Sequence, residues 1–218
     1  MSETTAEQVL ARQWAEYAAQ AAADDGTDPE VRARLVALFG EPDPYEEVVA
    51  PFGDGWPGLA PPREQPWDTD PDELAAHVLA DVRAAEKRRV KEYERDARQG
   101  IVGRRPAFAL DRPYRAAEAG PLLAARGVAE GFPYGGAEFT AVLASWESRF
   151  GTRLVGLDHD TVILSVAAPP RTTAEAEHVA AEHFAFSSDT IVQEEDEILT
   201  EYAANQLVTE PVWRFWWD

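Results

Sequence analysis

Residues 139–167, FTAVLASWESRFGTRLVGLDHDTVILSVA, decide the fold class. Phe139, Val142, Leu143, Trp146 and Phe150 recur at helical spacing, one apolar stripe, and Gly151 supplies the stop. The next two runs, Arg153 to Leu157 and Thr161 to Ala167, have strand composition. They flank Asp158-His159-Asp160, a polar tip suited to a tight hairpin. A helix with one apolar face leading into a hairpin predicts an α+β fold: a small, mostly antiparallel sheet covered by amphipathic helices, with an N-terminal helical extension.

Toward the C-terminus, Pro169-Pro170 ends the second strand, and Thr172 with Glu175 fits a capping box. Ala176, Val179, Ala180, His183 and Phe184 give the following helix its buried side, and a further helix is expected over Glu195 to Leu207. Pro211 to Asp218 reads as a core strand with Trp213, Phe215 and Trp217 on one face and Val212, Arg214 and Trp216 on the other. Trp56, Trp146, Trp213, Phe215, Trp216 and Trp217 are the expected structural anchors.

Toward the N-terminus, Ala107 to Leu110 is a short apolar run expected as a strand, and Gly120-Pro121 is expected to open a brief helix closed by Gly127. Asp70 as N-cap with Pro71 at the first helical position opens a long helix carrying Leu74, Val78, Val82, Val90 and Tyr93, which Gly100 can terminate. Eleven Gly or Pro residues from Gly40 to Pro66 preclude a long regular element there and leave Trp56-Pro57-Gly58-Leu59 as an anchored loop. Leu10, Trp14, Tyr17, Ala18 and Ala21 mark an amphipathic helix over residues 6–22. Asp28-Pro29 opens a second, with Val31, Leu35 and Leu38 as its apolar side. The expected organisation is a helical hairpin over 1–40, a Pro/Gly-rich loop over 41–69, a charged helix over 70–104 and an α+β domain over 105–218.

The chain has 218 residues, no cysteine, and 40 acids against 20 Lys and Arg, a net charge of −20. Without cysteine there is no disulfide scaffold, thiolate nucleophile or Cys-ligated metal, which agrees with a reducing cytoplasm. No apolar run approaches the roughly 20 residues needed to span a bilayer, and MSETTAEQ lacks the pattern of a secretory leader. The excess of carboxylates disfavours nucleic acid and anionic lipid and favours a basic protein partner. Half the net charge lies in residues 172–218, with eleven acids against Arg214, whereas residues 83–105 hold nine bases against four acids. That basic run reads as a solvated helix face paired with acidic parts of the same molecule.

Taken together, Trp56-Pro57-Gly58-Leu59, Ser145-Trp146-Glu147, Arg149-Phe150-Gly151, residues 164–170, residues 181–186 and Trp213-Arg214-Phe215-Trp216-Trp217-Asp218 resemble a family of actinobacterial proteins of uncharacterised function ending in Phe-Trp-Trp-Asp. The resemblance runs from about Arg105 to the end, reaches back to Trp56, and implies a fold and a bacterial cytoplasmic setting but no mechanism. Relatives often carry Cys-Pro-Asp after the position of Phe186. Here Ser187-Ser188-Asp189 stands there, so a thiol-based role for that loop is excluded.

For catalysis, Asp158-His159-Asp160 could present an imidazole between two carboxylates, and His183 with Asp189 could form a base and its orienter. A small hydrolase or transferase built on these residues is the alternative function. His178 and His183 are five apart, which does not put two zinc ligands on one helix face, and His77 is isolated. No phosphate-cradling glycine loop or nucleophile elbow occurs, and Glu194-Glu195-Asp196-Glu197 lacks the glycine and alternating ligands of a calcium loop. No cofactor or metal is expected. The leading expectation is a non-enzymatic acidic interaction protein, an immunity protein, inhibitor or regulatory adaptor, that contacts its basic partner through Glu194, Glu195, Asp196 and Glu197.

Overall fold

The computed structural model describes residues 4–22, 28–39, 43–63, 67, 69–101, 103–193 and 196–218. Strands β1 (Ala109–Tyr114), β2 (Thr152–Leu157), β3 (Thr161–Val166) and β4 (Val212–Trp216) form one sheet in that order, each pair antiparallel. Helices α1 (Ala6–Ala22), α2 (Pro29–Phe39), α3 (Tyr45–Val48) and α4 (Pro71–Ala97) precede β1. Helices α5 (Ala116–Arg126) and α6 (Gly136–Phe150) lie between β1 and β2, and α7 (Thr173–Phe186), α8 (Asp189–Val192) and α9 (Leu199–Tyr202) between β3 and β4. The fold is α+β, with the expected N-terminal helices present.

The chain packs as two units that are discontinuous in sequence. One comprises Pro61–Pro169 and Thr209–Asp218 with the start of the chain up to Ala6; the other comprises Glu7–Ala60 and Pro170–Val208. The first unit holds the sheet. On one of its faces Val155 and Ile163 pack with Ala75, Val78, Leu79 and Val82 of α4 and with Phe108, and Val212 joins them. On the other, Trp146 of α6 stacks on Phe215 (ring centroids 5.2 Å apart, planes at 7°) and meets Trp213 edge-on at 5.7 Å. Alternation along β4 thus sends Val212 to one layer and Trp213 and Phe215 to the other. Trp217 continues the second row, edge-on to Phe132 at 4.8 Å, and is half-buried, as is Trp216.

Local chemistry accounts for several element ends. Asp70 Oδ1 accepts from the backbone N–H of Asp72 and Glu73, capping α4. Thr172 Oγ1 accepts from Glu175 N–H at the start of α7, and α6 ends at Gly151 with φ 65°. Helices α5 and α6 approach closely because Gly120 has no side chain. A Cβ there would lie 2.6 Å from the carbonyl oxygen of Gly136 and 2.8 Å from Thr140 Oγ1, which instead accepts from Gly120 N–H at 3.0 Å.

In the second unit Trp14 is fully buried, edge-on to Phe184 (5.4 Å) and Trp56 (5.8 Å), and Tyr17 packs on Phe184 at 4.6 Å. Trp14 Nε1 donates to Asp54 O at 3.0 Å and Trp56 Nε1 to Glu7 Oε1 at 2.7 Å, which anchors the Trp56 loop on α1.

Four local expectations give way. Helix α5 begins at Ala116, and Gly120-Pro121 lies inside it, because Glu118 accepts from the backbone N–H of Arg115 and closes the first turn earlier. Strand β1 runs from Ala109 to Tyr114 and not from Ala107 to Leu110. It takes in Asp111-Arg112-Pro113, and an edge strand tolerates that proline. Val31, Leu35 and Leu38 of α2 are 48%, 47% and 75% exposed, so the apolar side of that helix is not buried. Of the segment expected as a helix over Glu195–Leu207, the described residues form α9 followed by a π turn over Ala203–Leu207, and residues 196–198 are not helical. Among the described residues, no helix is long and apolar enough to cross a membrane.

Candidate functional site

Charge divides unevenly between the two units. The residues of the second unit include twenty acids and four bases, a net −16, and leave −4 for the first. Glu16, Glu30, Glu46, Glu47, Glu197 and Glu201 are exposed on it. Asp54 and Asp189 lie near enough to act on its aromatic residues. Burial and then the Asp189 charge hold the Tyr17 phenol above its ordinary range, and burial followed by Asp54 does the same to Tyr45.

Within the expected contact cluster, Glu194 and Glu195 lie outside the described residues, and Glu197 is exposed. Asp196 is not a surface contact. It is buried, and its two carboxylate oxygens accept from Asn205 Nδ2 at 2.7 Å and Gln206 Nε2 at 2.9 Å. This carboxylate ties the chain before α9 to the π turn that follows it.

Helix α7 carries two adjacent buried titratable residues. Glu182 is fully buried and its Oε1 accepts from Ala60 N–H at 2.7 Å, pinning the end of the Trp56 loop from 122 residues away in sequence. His183 is equally buried; its Nδ1 lies 3.0 Å from Tyr202 Oη, and Asp189 Oδ1 accepts from Gln193 Nε2 at 3.1 Å. An imidazole with no exposed surface meets a substrate only if the helix layer around it opens.

The hairpin tip does bring its three residues together. His159 Nε2 lies 2.9 Å from Asp160 Oδ2 and its Nδ1 3.4 Å from Asp158 Oδ1, while Arg104 reaches Asp158 at 3.3 Å. The backbone uses the same groups. Asp158 Oδ1 accepts from His159 N–H, Asp160 Oδ1 accepts from the Thr161 hydroxyl, and Asp158 N–H donates to Thr161 O. The acids therefore shape the turn as well as flank the ring. His178 lies on α7 against Phe52, and His77 is exposed on α4. Among the described residues no group of three His, Asp or Glu side chains is placed to hold a metal ion.

One charged cluster has no local signal in the sequence. Arg153, on β2 and only 6% exposed, meets Asp72 at 2.6 Å and Glu147 at 3.3 Å, and Arg115 meets the same two acids at 3.0 and 3.1 Å. Glu147 Oε2 also accepts from Ala116 N–H at 2.7 Å. This closed ring joins the starts of α4 and α5 to α6 and β2. The hydrogen bond from Arg153 holds the Asp72 carboxyl below its ordinary value of 3.8. A depressed carboxylate stabilises the fold above its unfolded pKa, and that contribution is lost as pH falls through the folded value. In urea unfolding as pH falls below about 4, Asp72→Asn is therefore expected to flatten the acid limb of the wild type. Parallel acid limbs would contradict the assignment.

Residues 116–218 match the family model of a domain of unknown function, DUF4253. The DUF4253 match begins with α5 and runs through β4, so it takes in the hairpin tip, the Glu182–His183 pair and the aromatic β4, and leaves out α4 and β1. No curated protein and no solved structure matches the chain.

Proposed function

We propose that this chain is a non-enzymatic cytoplasmic interaction protein whose acidic second unit binds a basic protein, in the manner of an immunity protein, an inhibitor or a regulatory adaptor. The observation that carries this reading is the concentration of −16 on residues 7–60 and 170–208. Like charges gathered on one unit oppose its folding, and a cationic partner relieves that repulsion. Of the two histidines considered for catalysis, His183 supports this choice, since it has no exposed surface.

Electrostatic steering of this kind weakens as the Debye length shrinks from about 8 Å at 0.15 M salt to about 3 Å at 1 M. The test immobilises the full chain, passes the source lysate over it, and elutes with a salt gradient, beside a variant carrying Glu194→Gln, Glu195→Gln, Glu197→Gln and Glu201→Gln. Asp196 is left intact because it is a buried acceptor. A basic protein bound in stoichiometric amount, released by salt and lost on the variant, is the expected result. Retention through 1 M salt, or equal capture by the variant, would overturn the reading.

A further inference from the structure

The basic run over residues 83–105 is left without a role by the acidic-partner reading, and one part of it is built into a groove. Between α4 and β1 a groove of about 490 Å3 is lined by Arg83, Glu86, Lys87, Leu110, Asp111 and Arg126. Its two arginines are held by uncharged acceptors. Arg83 donates to Leu110 O through Nε (3.2 Å) and Nη2 (3.0 Å) and to Asp111 O, while Arg126 Nη1 donates to Ala107 O at 3.2 Å and to Leu157 O. A backbone carbonyl fixes a guanidinium without neutralising it, so both keep their charge and a set orientation.

The third cation, Lys87, has no ion-pair or hydrogen-bond partner among the described residues. The acids of the groove are engaged. Glu86 Oε2 accepts from Ala109 N–H at 2.7 Å, and Asp111 Oδ1 accepts from the Tyr114 hydroxyl at 2.8 Å. Three cations thus line the groove against two carboxylates, Glu86 and Asp111, and leave it one net positive charge. The second oxygen of Glu86, Oε1, can accept from a ligand hydroxyl.

We propose that the α4–β1 groove binds a phosphoryl group, either on a hydroxyl-bearing small molecule of the sugar-phosphate class or as the free ion. A phosphoryl dianion offers three acceptor oxygens to Arg83 Nη1, Arg126 Nε and Lys87 Nζ, and charge-assisted bonds of this kind are about twice as strong as neutral ones. The sugar hydroxyls are what Glu86 would receive.

The test titrates the full chain with glucose 6-phosphate and, separately, with inorganic phosphate to about 10 mM, following backbone amide resonances and binding heat. The variants are Lys87→Ala and Lys87→Glu, since Lys87 bonds to nothing among the described residues. Shifts centred on residues 83–87 and 109–111, weakened about tenfold by Lys87→Ala and abolished by Lys87→Glu, are expected. Tighter binding of the sugar phosphate identifies the organic ligand, and equal affinity identifies the phosphoryl group alone. Absence of shifts at these residues with both probes, or binding indifferent to Lys87→Glu, would overturn the assignment.

Discussion

Truncating Trp146 to alanine is expected to lower the stability of the protein by about 4 kcal/mol and its Tm by roughly 8–16 °C. Trp146 has no exposed surface, and its ring is shared between Phe215, stacked at 5.2 Å, and Trp213, edge-on at 5.7 Å. Removing the indole deletes the layer between α6 and β4, and the surrounding large rings cannot collapse into the space without leaving their rotamers. Aromatic pairs contribute about 0.5–1.5 kcal/mol beyond the area they bury. A double-mutant cycle of Trp146→Leu with Phe215→Leu should therefore return a coupling of about 1 kcal/mol. Urea and thermal unfolding measure both. A loss of less than about 1.5 kcal/mol for Trp146→Ala would mean that β4 is not held by this layer.

The second large effect is expected from a single methyl group. The 3-10 turn at Ala129–Gly131 lies so close to the hairpin tip that a Cβ on Gly131 would fall on the carbonyl oxygen and carbon of His159, deep inside van der Waals contact. Both partners are backbone, so no side chain can rotate away, and either the turn or the tip must move. Gly131→Ala is expected to cost about 3 kcal/mol, roughly 6–12 °C in Tm. It should also perturb the amide resonances of Asp158, His159 and Asp160. Gly103→Ala is the control, since a Cβ there meets nothing within 4 Å, and its effect should stay within about 0.5 kcal/mol. Equal stability of the two variants would show that the tip does not rest on the turn.

What the sequence made legible was short-range and periodic. The stripe from Phe139 to Phe150, the two strands around Asp158-His159-Asp160, the Asp70-Pro71 cap and the alternation through Trp213 and Phe215 each carry their signal within a few residues. The start of α5 was hidden because its first turn is closed by Arg115 and Glu118 and not by a Ser, Thr or Asp cap, while Gly120-Pro121 imitates a helix opening. The acids misled for a related reason. Composition assigns every Asp and Glu to solvent, yet Asp196 and Glu182 are buried acceptors. The donor for Glu182 is Ala60, to which no local pattern points. The Asp72–Arg115–Glu147–Arg153 ring and the carbonyl-anchored arginines of the groove escape for the same cause, since their partners are brought together only by the tertiary fold.

The order of strands along the chain has a consequence for biosynthesis. Strand β3 ends at Val166 and its neighbour β4 begins at Val212, so the ribosome must add residues 167–211 before the sheet can receive its fourth strand. At about 5–20 residues per second, that takes roughly 2–9 seconds. During this interval the edge of β3 and the face of α6 that will hold Trp213 and Phe215 stay uncovered on a nascent chain. For those seconds Trp146 and Phe150 lack the aromatic rings of β4 that later cover them.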